Sequence, residues 1–144
     1  ASLLPGARRE FEGICIVPEL TPYEMIGGET VVARLTDRFY SLMADVPQFA
    51  GIRAMHPEDL RESRDKLFMF LSGWLGGPDL FVEKFGHPRL RGRHMPFAIG
   101  TSERDQWVAC MSLAMEQVGV EAAMRERLLQ SFFNTADFMR NKEG

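Results

Sequence analysis

The chain has 144 residues, 45% of them hydrophobic and 26% charged, which is typical of one soluble globular domain with a single core. A net charge of −3 and a pI near 5.6 argue against a general nucleic-acid binder. No apolar run approaches the ~20 residues that cross a bilayer, and the first residues lack the order of a secretory signal. Cys15 and Cys110 lie far apart without CxxC spacing, so we expect no zinc site and a cytoplasmic protein with reduced thiols, with one disulfide left open.

Residues 1–20 are interpreted as an N-terminal extension, and residues 21–144 as one domain. Thr21 followed by Glu24 resembles a capping box, which predicts a short helix that Gly27 and Gly28 then end. Apolar residues at helical spacing predict a second helix from 29 to about 44, and residues 46–55 read as irregular.

Four further helical segments are predicted. Pro57 opens a third helix, which the Gly76, Gly77 and Pro78 stop ends. A short helical segment follows at about 80–84, Ser102 with Asp105 caps a helix through Val118, and a last helix runs from about 121 to 140. No segment alternates with strand period, so the predicted fold class is all-α.

The stretch "GHPRLRGRHMPF" (86–97) concentrates three arginines and two histidines in an acidic chain. Helical domains often bury a cofactor between facing helices. A haem requires one axial imidazole, an apolar slot and cations for its propionates. His94, beside Met95 and Phe97, suits the first requirement. On the residues alone, a surface histidine, a solvated arginine face and a cofactor-free helical module that binds acidic partners stay open.

The order and separation of several motifs resemble the group II truncated haemoglobins over about Tyr23 to Met139. The motifs are "YEMIGGE" (23–29), "RFY" (38–40), "HPEDL" (56–60), "GGP" (76–78), "GHPRLRGRHMPF" (86–97) and "ERDQWVACM" (103–111). The resemblance implies a two-over-two helical sandwich that holds haem b.

The resemblance also implies roles for individual residues. His94 corresponds to the family's proximal histidine, the axial ligand of iron. Residues implied to contact the diatomic ligand are Tyr40, His56, Ser63, Leu67 and Trp107. Residues implied to contact the haem itself are Lys66, Phe70, Arg91, Arg93, Met95, Phe97 and Met111.

Each of these roles has a plainer alternative. Trp107 could be only a core residue, and the Tyr40 hydroxyl could bond a backbone carbonyl. His56 could contact the ligand, bind iron as a sixth ligand, or face solvent. Ser63 could bond back to its own helix, and His87 is interpreted as structural.

The resemblance implies reversible binding of O2, CO and NO at a five-coordinate iron. Several donors around the ligand predict slow release, so sensing, scavenging or redox chemistry is expected rather than bulk oxygen transport. The rival interpretation is an enzyme, either a nitric oxide dioxygenase or a peroxidase-like protein, with a reductase as partner. The protein is expected to be a monomer or a homodimer, without nucleic acid or membrane as partner.

Overall fold

The structure, a computed structural model, describes residues 20–142, and all regular secondary structure in this range is helical. The α-helices are α1 (Pro22–Ile26), α2 (Gly28–Asp45), α3 (Ala50–Arg53), α4 (Arg61–Trp74), α5 (Leu80–Phe85), α6 (Leu90–His94), α7 (Thr101–Gln117) and α8 (Ala122–Phe138), with a 3₁₀ turn at Pro47–Phe49. In this part of the chain, no helix has the length and apolarity needed to cross a membrane. The predicted N-terminal extension, apart from Leu20, lies outside the described residues, as does Cys15.

The first helix begins as the sequence predicts. The Thr21 hydroxyl accepts from the backbone N–H of Glu24, whose carboxylate accepts from the backbone N–H of Thr21, and this closes the capping box. Gly27 follows with a φ of +120°, a region that side chains rarely adopt, and a Cβ there would lie 2.5 Å from Val31. The turn into α2 therefore requires glycine at position 27.

The core lies where α2 packs against α4 and α7, and α7 packs against α8. This is the two-over-two pairing of helices expected from the resemblance. Phe39 of α2 and Met111 of α7 are fully buried in it. Cys110 is also fully buried; its thiol donates to the Phe39 carbonyl at 3.3 Å, and burial raises its pKa to about 12. It is a neutral core side chain.

The segment before α4 differs from the prediction in two ways. Residues 46–55 are not irregular, because the 3₁₀ turn and α3 occupy most of them. The helix predicted to open at Pro57 begins instead at Arg61. The Arg53 guanidinium donates to the carbonyls of Pro57 and Glu58, both at 2.9 Å, and the Asp59 carboxylate accepts the N–H of Arg61 at 2.9 Å. These bonds fix residues 57–60 in a corner, and the bond from Arg61 to Asp59 caps the N-terminus of α4.

The helix α7 also begins differently. The prediction placed Ser102 and Asp105 as its cap, but the helix starts at Thr101, and the Glu103 carboxylate accepts the N–H of Gly100 at 2.7 Å. The Ser102 hydroxyl accepts instead from the side-chain amide of Gln106 at 3.0 Å.

Candidate functional site

A cavity of about 490 Å³ receives side chains from α2, α4, α6, α7 and α8. Its volume lies in the range of small-molecule sites. Ten of the residues singled out from the sequence line it: Tyr40, His56, Ser63, Lys66, Leu67, Phe70, Arg93, His94, Phe97 and Trp107. The sequence therefore singled out residues that lie far apart along the chain and come together around one cavity.

The stretch 86–97 is not a loop throughout, because it contains the helix α6. Arg89 turns the chain into α6 with a φ of +48°, and its N–H donates to His87 Nδ1 at 3.1 Å. His87 is exposed and forms part of this turn. The interpretation of His87 as a structural residue is consistent with its position outside the cavity.

The helical turn of α6 decides which of its residues face the cavity. Residues three and four apart share one face of a helix. Leu90, Arg93 and His94 have this spacing and line the cavity, whereas Arg91 and Met95 lie on another face.

Three residues predicted to contact the haem lie outside the cavity lining. Arg91 donates to the carbonyls of Phe138 and Arg140, at 2.7 and 3.0 Å, and so ties α6 to the end of α8. The Met95 side chain is 54% exposed. Met111 follows Trp107 by one helical turn but is fully buried among the core residues.

The His94 imidazole is held by its own helix. Its Nδ1 lies 2.6 Å from the Leu90 carbonyl oxygen. Because a carbonyl can only accept, Nδ1 is the nitrogen that carries the proton in the neutral imidazole, and Nε2 is the nitrogen with the free lone pair. A backbone carbonyl that fixes the tautomer in this way is the usual support of a metal-binding histidine. His94 therefore presents an unprotonated nitrogen from a half-buried position in the cavity wall.

Tyr40 and Trp107 bring polar hydrogens to the same cavity. Tyr40 is only 9% exposed, and burial, followed by the influence of Cys110, raises the pKa of its phenol well above the usual value. The phenol therefore stays neutral and keeps its O–H. The Trp107 ring packs against Phe39 and Phe132 at centroid distances of 5.2 and 5.5 Å, and its indole N–H is solely a donor.

His56 lies at the corner before α4, with its ring centroid 5.7 Å from that of Tyr40. Its Nδ1 lies 2.8 Å from the Ile52 carbonyl, so the proton is on Nδ1. Burial lowers its pKa below 6.5; the bond to Ile52 opposes this shift, the charge of Arg53 adds to it, and His94 adds to it only in its protonated form. At neutral pH, Nε2 is therefore an acceptor or a metal ligand and not a donor.

Cations border the cavity on two elements. Lys66 of α4 pairs with Glu62 at 3.1 Å, a half-exposed surface pair of small energetic weight. The Arg93 guanidinium lies over the ring of Phe81 at 5.2 Å. Arg104 also lines the cavity, but the carboxylates of Asp105 and Asp137 hold its charge, each at 2.9 Å.

Part of the cavity wall was not predicted as a site. Trp74 and Phe132 stack with their ring centroids 4.4 Å apart, and both line the cavity together with Ala136 and Met139. In the sequence, these residues stand out only as members of helix-packing stripes. The recurrence of Phe132, Ala136 and Met139 at helical spacing was the available signal, but it does not distinguish a packed helix face from a cavity wall.

Comparisons with known proteins agree with this geometry. The family model of the bacterial-like globins matches residues 21–141. The chain is 42% identical over 121 residues to the group 2 truncated hemoglobin YjbI of Bacillus subtilis, a match that covers 84% of this chain and 89% of the relative. The chain belongs to the group II truncated haemoglobins.

Solved structures of this family have the same fold. A cold-adapted truncated hemoglobin of the Antarctic marine bacterium Pseudoalteromonas haloplanktis is 47% identical, with a TM-score of 0.83 and coverage of 85% of this chain and 99% of that one. The group II 2-on-2 hemoglobin of Agrobacterium tumefaciens is 43% identical, with a TM-score of 0.84 and coverage of 89% and 98%. This truncated haemoglobin is thus a haem-binding globin with the two-over-two fold.

The residues of this truncated haemoglobin fit a haem. A macrocycle requires a slot with aromatic and aliphatic walls, which Phe70, Phe97 and Trp107 help to form. An iron ligand requires an unprotonated imidazole nitrogen, which His94 provides. Two carboxylates on the cofactor require cations at the edge, which Lys66 and Arg93 supply.

Proposed function

We propose that the protein binds haem b through His94 and uses it to bind O2, CO and NO reversibly, in a sensing, scavenging or redox role. The observation that carries this proposal is the His94 imidazole, whose Nδ1 is bonded to the Leu90 carbonyl while the ring lines the cavity. When bound, haem supplies a ferrous iron with one open position for a diatomic ligand.

On the proximal side, the protein holds one imidazole in one tautomer. The bond from Nδ1 to the Leu90 carbonyl raises the basicity of Nε2 and prevents the ring from turning. Lys66 and Arg93 are proposed to orient the cofactor by pairing with its propionates. The backbone N–H of Phe97 donates to the His94 carbonyl at 3.0 Å, and Phe97 lines the same cavity as the imidazole.

On the distal side, the protein contributes donors from a buried phenol, that of Tyr40, and a half-buried indole, that of Trp107. The Tyr40 O–H and the Trp107 N–H are proposed to donate to a diatomic ligand, which slows its release. Hydrogen bonds with a charged partner are worth ~1.5–3 kcal/mol. Ser63 and Leu67, one turn apart on α4, are proposed to shape the space beside them. At neutral pH, His56 offers an acceptor and is proposed to orient a neighbouring donor.

The experiment is a haem titration of the purified protein, followed by its visible spectrum after reduction with dithionite. One equivalent of haem and a single broad visible band are expected, because a five-coordinate iron gives no split bands. O2 release is then measured by stopped flow and is expected to be slow. Turnover of nitric oxide or peroxide is expected to be negligible. Uptake of no stoichiometric haem contradicts the proposal. Sharp split bands contradict the five-coordinate site and assign a sixth ligand, with His56 tested first.

A further inference from the structure

Gln106 precedes Trp107 in α7, yet its side chain faces α3 and not the cavity. Its Oε1 accepts the backbone N–H of Ile52 at 3.1 Å, and its Nε2 donates to the Ser102 hydroxyl at 3.0 Å. The donor on Ile52 fixes which end of the amide points to α3. One half-buried side chain therefore joins α7 to an element 54 residues earlier in the chain.

The residue that Gln106 holds is the residue that orients His56. Ile52 is buried, with 3% of its surface exposed, and its carbonyl accepts from His56 Nδ1 at 2.8 Å. The chain of contacts runs from Gln106 to the N–H of Ile52, and from the carbonyl of Ile52 to the imidazole. His56 and Trp107 come from different elements, and this short chain connects them.

Gly51 shows how closely the amide of Gln106 approaches α3. A Cβ on Gly51 would lie 2.8 Å from both Nε2 and Oε1 of Gln106, too close for either atom to stay in place. The backbone of Gly51 is helical and does not have the positive φ that favours glycine. The missing side chain at position 51 therefore serves the approach of Gln106 and not the path of the backbone.

We propose that Gln106 is a positioning residue of the distal side, which holds the His56 imidazole at a fixed place relative to Trp107 through Ile52. This inference rests on the proposed function, because both rings border the site proposed for the diatomic ligand. Gln106 does not line the cavity, so it acts on ligand release through the neighbours that do, Ile52, His56 and Trp107.

Two variants remove the contact between Gln106 of α7 and Ile52 of α3 by different means. Gln106→Leu removes both hydrogen bonds at similar side-chain size. Gly51→Ala leaves α7 unchanged and displaces the amide. Gln106→Glu is the conservative variant, because its carboxylate can still accept from the Ile52 N–H and from the Ser102 hydroxyl. Gln130→Leu, at an exposed position of α8, is the matched control for the loss of a glutamine.

The readouts are the tautomer of His56, from ¹⁵N spectra of the CO-bound holoprotein, and the rate of O2 release. Wild type, Gln106→Glu and Gln130→Leu are expected to keep the proton of His56 on Nδ1 and to release O2 at similar rates. Gln106→Leu and Gly51→Ala are expected to give mixed tautomers and release faster by about two- to tenfold, the equivalent of one net hydrogen bond. A general loss of stability does not change the tautomer of one histidine.

The inference is overturned if Gln106→Leu keeps the wild-type tautomer of His56 and the wild-type rate of O2 release. It is also overturned if Gln106→Glu behaves like Gln106→Leu. If Gln106→Leu does not fold, the same comparison is made with Gly51→Ala, which is expected to change the His56 tautomer and O2 release, and with Gln106→Glu, which is expected to keep both. A wild-type protein that takes up no haem overturns the proposed function and this inference with it. A wild-type protein that binds haem, with variants that do not differ from it, overturns the role of Gln106 alone.

Discussion

The two sides of the cavity are built in different ways. On the proximal side, the His94 imidazole is oriented by Leu90 of the same five-residue helix, four positions earlier. On the distal side, Tyr40, His56 and Trp107 come from three separate elements. A hydrogen bond within one helix orients the proposed iron ligand, and tertiary contacts arrange the groups proposed to face the diatomic ligand. The distal side therefore depends more on long-range packing. Substitutions there should change the rate of ligand release more than they change the retention of haem.

The largest distal effect is expected from Trp107→Phe. The variant keeps an aromatic ring against Phe39 and Phe132 but loses the indole N–H, the donor proposed to hold the ligand. Loss of a hydrogen bond to a charged partner predicts O2 release faster by about 10- to 100-fold, measured by stopped flow. Trp74→Phe, which makes the same change in the stacked wall pair, should alter release little. Equal effects in the two variants would mean that ring size, and not the donor, controls release.

A smaller effect is expected from Tyr40→Phe. Removing the buried phenol O–H should speed O2 release by about two- to tenfold, less than for Trp107→Phe because the His56 ring beside Tyr40 offers this hydrogen a second acceptor. Tyr23→Phe, in α1 outside the cavity, is the matched control. Heat denaturation of both variants separates the ligand effect from a change in stability. A Tyr40→Phe protein with wild-type release rates would show that the hydroxyl does not act on the ligand.

The pH dependence of release should follow His56. Its pKa lies below 6.5, lowered chiefly by burial; the Ile52 carbonyl opposes the shift, Arg53 of α3 adds to it, and His94 of α6 adds to it only when protonated. Above this pKa, Nε2 only accepts; as the pH falls through it, Nε2 gains a proton and becomes a donor. O2 release should therefore slow by about two- to tenfold in acid, the equivalent of one hydrogen bond. The dependence should vanish in His56→Gln, and its persistence would assign it to another group.

The smallest effect is expected on the proximal side, from Gly92→Ala. Gly92 lies inside α6, and a Cβ added there would meet only open space among the described residues, so alanine should stabilise the helix by ~0.5–1 kcal/mol. Gly86→Ala is the opposite control, because a φ of +81° strains any side chain there. Thermal unfolding of the holoprotein is the measurement. Destabilisation by Gly92→Ala would show that α6 does not keep its helical form around His94.

Local signals predicted much of the fold and part of the site. The capping box at Thr21 and Glu24 and the apolar spacing that predicted α2 depend on neighbours in sequence, and both are present. The corner at residues 57–60 depends on Arg53 donating to backbone carbonyls, a contact that the spacing of apolar residues does not predict.

The helix α6 was missed for a similar reason. It spans only five residues and follows Arg89, a non-glycine residue with positive φ, so neither length nor residue type marks it in the sequence. Because α6 was not predicted, the face that carries Leu90, Arg93 and His94 was not separated from that of Arg91 and Met95.

The most direct test of the account is the visible spectrum of His94→Ala reconstituted with haem, beside His87→Ala. His87 is exposed in the turn before α6, so its variant should keep the wild-type Soret band and one equivalent of haem. His94→Ala should lose or shift the Soret band, and added imidazole should restore it by occupying the emptied position. A His94→Ala protein with the wild-type spectrum would contradict the assignment of His94 as the iron ligand, and with it the account of both sides of the cavity.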